Sequence, residues 1–108
     1  MPSGPIPLKP LAIAIASLLS AAPAQAEIRQ AWCVVTWPDT NRERATGDCH
    51  FRQAFGNVQV WMGDRYAFDF PYDDQGHTYE RQNAGDFIGF KRGGYILKVF
   101  QRGKPASE

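Results

Sequence analysis

What this chain lacks narrows its chemistry before any motif is considered. After residue 26 it holds a single serine, Ser107, close to the C-terminal end. No base stands at a telling distance from Thr36, Thr40, Thr46 or Thr78, so an activated hydroxyl nucleophile has little to be built from. Histidine is scarce. His50 and His77 are the only two and each stands alone in its segment, so neither an H-x-H nor an H-E-x-x-H metal spacing occurs. The cysteines form no C-x-x-C redox motif, and no second pair completes a zinc site. An excess of one charge is missing as well. Setting Lys9 aside, eleven Lys/Arg face eleven Asp/Glu, which supplies no net field to steer a polyanion.

The first 26 residues lack aromatic side chains and carry one charge, Lys9. An uncharged stretch from Leu11 to Leu19 follows, then small residues ending in Ala24-Gln25-Ala26 before Glu27. These are the n-region, h-region and A-x-A cleavage site of a secretory signal peptide, with an apolar run too short to span a bilayer. The expected mature chain starts at Glu27, counts 82 of the 108 residues, and is periplasmic or secreted. Cys33 follows Gln30-Ala31-Trp32 and does not stand at the cleavage point, so neither a lipid anchor nor a membrane span is expected.

A domain this small has a marginal core and gains from a covalent staple. Cys33 and Cys49 are the only cysteines, and in an oxidising compartment an isolated pair reads as a disulfide. Closing a loop of that length contributes about 3 kcal/mol in the chain-entropy model.

All three Trp, four Tyr and seven Phe lie after Ala26, a density that suits pleated, half-buried surfaces. Turn signals recur at short intervals. They predict strands over Ile28–Trp37, Asp48–Gln53, Val58–Met62, Arg65–Phe70, His77–Gln82, Phe87–Lys91 and Tyr95–Arg102. Between them lie a polar loop at Pro38–Gly47, a Gly56-Asn57 turn and a two-residue Gly63-Asp64 hairpin. A break at Pro71–Gly76, a turn at Asn83–Asp86 and a Gly93-Gly94 turn complete the set. No helical periodicity follows the leader. The expected fold is all-β, one antiparallel meander barrel over 27–102, closed or nearly closed, with 103–108 as a disordered tail. A two-layer sandwich is the alternative, because periodicity does not separate a curled sheet from two packed ones.

Several segments invite a chemical reading and each has a plainer one. Asp69, Asp73 and Asp74 gather near Gly76, yet without the D-x-D-x-D-G order or distal Glu of a calcium loop. Asp and Gly are ordinary turn residues. Asp73 or Asp74 with Glu80 or Asp86 would be the carboxylate pairs for glycoside chemistry, but spacing alone sets no geometry across a scissile bond. The aromatic and basic residues of Phe87–Arg92 and Tyr95–Phe100 would suit stacking on single-stranded nucleic acid. Export removes that partner, and core on one face with charge on the other explains the pattern. No catalytic residue, metal or cofactor is therefore assigned.

From Cys49 onward the order of features resembles the small periplasmic or surface-bound inhibitors of C-type lysozyme of Gram-negative bacteria. That family has an aromatic-rich strand, a Ser-Gly-x-x-Tyr loop, and an aromatic-x-Lys-Gly element before the last strand. Here the matching segments are Tyr66-Ala67-Phe68-Asp69-Phe70, Gln75-Gly76-His77-Thr78-Tyr79 and Phe90-Lys91-Arg92-Gly93. The resemblance implies an exported, disulfide-bearing antiparallel barrel that binds lysozyme through Gln75, Gly76, Tyr79, Lys91 and Arg92. Gln75 stands where the family places the serine that enters the lysozyme cleft, so its longer amide must replace a hydroxyl. The cation at Lys91 or Arg92 would complement an acidic cleft, while Asp69, Asp73 and Asp74 would oppose entry. The sequence thus points to an exported, non-catalytic binding module of the cell envelope whose protein partner it does not name. Inhibition of C-type lysozyme is the alternative, and oligomeric state is left open.

Overall fold

The computed structural model describes residues 27–106, so the leader reading and residues 107–108 lie outside the described part. Seven strands form one antiparallel sheet: β1 Arg29–Thr36, β2 Ala45–Ala54, β3 Asn57–Met62, β4 Tyr66–Phe70, β5 Glu80–Asn83, β6 Ile88–Arg92 and β7 Tyr95–Phe100. The only helical element among the described residues is a 3₁₀ turn at Tyr72–Asp74. The sheet is all-β and curls into a half-barrel in the order β4-β3-β2-β1-β7-β6-β5. One continuous sheet replaces the two-layer alternative.

Alternation explains most of these strands. Along β3, Val58, Val60 and Met62 are buried while the residues between them stay more open, the period of a strand with one wet face. The inward residues of every strand but β5 meet in one core that includes Val35, Phe51, Val60, Phe70, Phe90 and Leu97. Outward-facing Val34 and Phe100 are also buried but lie outside that cluster. There Phe100 packs 5.3 Å from Phe87, the Lys98 ammonium sits 4.9 Å above the Phe87 ring, and the Lys104 ammonium 5.4 Å above Trp32. Lys104 thus touches β1 although it belongs to the segment expected to be a disordered tail.

Cys33 and Cys49 are joined, with Cα atoms 5.8 Å apart. Cys33 pairs in register with Gly47 and Cys49 with Ala31, so the bond runs diagonally across the β1–β2 ladder on its inner face.

The structure moves several predicted boundaries. The Pro38–Gly47 loop is shorter, because Ala45, Thr46 and Gly47 already pair with Val35, Val34 and Cys33. The β2–β3 turn is Phe55-Gly56, one residue earlier than Gly56-Asn57, because Ala54 pairs with Asn57. The β3–β4 loop has three residues, since Met62 pairs with Tyr66 and leaves Arg65 in the turn. β5 begins at Glu80 and not His77, because the His77 and Thr78 amides donate to the Asp74 carbonyl. β7 stops at Phe100, whose carbonyl accepts from Gly103. The Gly93-Gly94 hairpin is as expected, with Arg92 opposite Tyr95 and Gly93 at φ 54°.

Candidate functional site

The sheet is not closed by a ladder. Its edges are β4 and β5, which are consecutive in sequence and joined by residues 71–79. Edge strands expose unpaired backbone groups, and here side chains meet them. Phe70 of β4 stacks on Phe90 of β6 at 4.1 Å and meets Tyr79 edge-on at 5.1 Å. The Tyr79 hydroxyl donates to the Pro71 carbonyl at 2.8 Å and to that of Phe70 at 3.3 Å. The Arg92 guanidinium donates to the Asp69 carbonyl at 2.8 Å while lying 4.6 Å above the Phe70 ring and 5.4 Å above that of Tyr79. The Asp69 carbonyl is thus met by Arg92, and the Tyr79 hydroxyl shares its one hydrogen between the Pro71 and Phe70 carbonyls that follow.

Two residues of the sequence-derived set thus serve the fold. Tyr79 is 2% exposed and beneath the surface that a partner would touch. Burial pushes its phenol above the ordinary value of 10.0, with Arg81 and Arg92 pulling in the opposite direction, so the hydroxyl remains a donor at neutral pH. Arg92 is half-buried over the rings.

Gln75, Gly76 and Lys91 are exposed. The 71–79 connection holds the first two in place. Asp74 N–H donates to Pro71 O and Gln75 N–H to Tyr72 O, each at 3.1 Å, and Gly76 N–H donates to Tyr79 O at 2.7 Å. Gly76 adopts φ 83° with nothing near an added Cβ, so glycine is needed there for its backbone and not for space. Lys91 pairs in register with Glu80, the residue after Tyr79. It also forms one wall of a shallow groove of about 350 Å³ whose lining includes Phe87, Gly89, Ile96 and Lys98. The rim therefore presents the exposed Gln75-Gly76-His77-Thr78 segment next to a seam fixed by Tyr79 and Arg92.

Sequence reasoning missed a second exposed feature next to this loop. Phe55 at the tip of the β2–β3 hairpin is 91% exposed and adopts φ 55°. Tyr72, in the 3₁₀ turn, is 58% exposed and lies against Gly56 so closely that a Cβ there would come within 2.5 Å of its ring. Asn57 Oδ1 accepts the Tyr72 amide at 2.8 Å. The available signal was a phenylalanine in the turn position that favours Asn, Asp or Gly.

Among the described residues, no group of three or more His, Cys, Asp or Glu is placed to hold a metal ion. No helix among them is long and apolar enough to cross a membrane. Comparison of the chain with protein-family models, with curated proteins and with solved structures finds no match.

Proposed function

We propose that the mature chain is an exported, non-catalytic binding module of the bacterial cell envelope that engages a protein partner through the seam rim. The observation that carries this reading is the hydrogen-bonded 71–79 connection, which holds exposed Gln75 and Gly76 in one conformation at the open side of the sheet. A loop ordered before binding loses little entropy when it is captured. An envelope location fits the Cys33–Cys49 bond, since such bonds persist in oxidising compartments.

Inhibition of C-type lysozyme is the second reading, favoured by the exposure of Gln75, Gly76 and Lys91 together. In that reading Gln75 and Lys91 make the contacts, and Tyr79 and Arg92 hold the loop that presents them. Lysozyme turnover measured with micromolar purified mature protein tests it. Inhibition is expected, and Lys91→Glu weakens it about tenfold or more while leaving the unfolding midpoint nearly unchanged. Unchanged turnover with the unsubstituted protein removes the inhibitor reading and leaves the binding module with another partner.

A further inference from the structure

Three large apolar side chains are exposed among the described residues: Ile28, Phe55 and Tyr72. Two of them, Phe55 and Tyr72, lie on neighbouring turns. The Phe55-Gly56 turn has φ 55° and 84°, the left-handed pair of a type I′ turn, which bulky residues resist. Phenylalanine at its first position adds strain without burying anything in this fold. Gly56 is fixed twice over, by its φ and by the Tyr72 ring lying where a Cβ would go. With the Tyr72 amide bonded to Asn57 Oδ1 at 2.8 Å, the hairpin tip and the 3₁₀ turn are clamped together. The result holds in fixed relative position two turns that each carry an exposed aromatic residue.

We propose that Phe55 and Tyr72 form an aromatic docking platform that seats in an apolar pocket with a cationic rim on a protein partner. The inference rests on the binding-module reading above and names its anchors. Asp73, exposed, and Asp74, half-buried, flank Tyr72 in the same turn, which sets the sign of the partner's rim. The same carboxylates disfavour a second copy, since a symmetric contact would set them against their equivalents. A bilayer fits less well. Two rings offer less apolar surface than one acyl chain, which alone binds membranes only marginally, and the aspartates oppose an anionic leaflet. Rigid aromatic anchors at the centre of an interface are the usual hot spots.

The test uses the mature protein with a photoreactive p-benzoylphenylalanine at position 55, 72, 75 or, as a control, 64, irradiated in envelope extract of its own cell. The expected result is one protein adduct, the same from positions 55 and 72 and absent from 64. It is lost when Asp73→Lys and Asp74→Lys are added, and its linked peptide carries Lys or Arg. With that protein purified, Phe55→Asn weakens Kd about 30-fold or more, yet raises Tm by about 2–5 °C because the turn strain is relieved. Binding and stability thus move in opposite directions, which loss of folding would not produce. A lipid adduct, a dimer of this chain, an unchanged Kd or a lowered Tm for Phe55→Asn overturns the platform. Adducts from position 75 alone overturn the platform but keep the seam rim as the binding surface. No protein adduct from any position overturns both.

Discussion

The two sides of this half-barrel are held by different means. On one side, β2, β1 and β7 are joined by continuous backbone ladders and the Cys33–Cys49 bond. On the other, β4 faces β5 and β6 across a gap bridged by the Phe70–Phe90 stack and by side-chain bonds from Tyr79 and Arg92. A ladder accepts almost any side chain on its wet face, whereas a side-chain seam depends on the identity of each residue. The difference teaches that the second side carries more sequence information per residue. It also explains why residues that look like binding positions in a linear reading are needed for closure.

The largest test of this contrast is Phe70→Ala. Phe70 is fully buried and touches both Tyr79 and Phe90, so truncation should destabilise by about 4 kcal/mol, read as a lowered urea midpoint. A loss below about 2 kcal/mol would mean that the seam is not part of the core. Next comes the staple. Replacing both Cys33 and Cys49 with Ala should cost about 3 kcal/mol while β1–β2 amides stay the slower exchangers compared with β4 and β5. Faster exchange in β1–β2 than at the seam would reverse the comparison.

The smallest expected effect is Tyr79→Phe, which removes the donor to the Pro71 and Phe70 carbonyls and should cost about 1–2 kcal/mol at neutral pH. Its pH dependence sharpens the assignment. A phenol whose folded-state pKa lies above 10.0 contributes stability that is whole below that value and declines as pH rises toward the folded pKa. Unfolding free energy should therefore fall above about pH 10, and less steeply in Tyr79→Phe. Equal slopes for the two proteins would place the hydroxyl outside the seam.

The strands were legible where local pattern decides them. The alternation of Val58, Val60 and Met62, the glycine pair before Tyr95 and the cysteine pairing needed no knowledge of distant contacts. The seam was not legible, because Tyr79 reaches Pro71 and Arg92 reaches Asp69 over 8 and 23 residues. No local rule relates those positions. Of the residues singled out in the sequence, Gln75, Gly76 and Lys91 lie at the surface, while Tyr79 is buried and Arg92 half-buried. Phe55 escaped notice because a phenylalanine in a β-rich sequence reads as core, and only its φ and exposure reveal otherwise.

The placement of β1 between β2 and β7 has a consequence for the order of assembly. Trp32 and Cys33 emerge from the ribosome early, yet their partners Phe100 and Val99 are the last strand residues to be made. Until those arrive, one flank of the first strand has nothing to hydrogen-bond. The first strand cannot complete its pairing until β7 is in place, and truncation into β7 would leave that flank of β1 without its ladder.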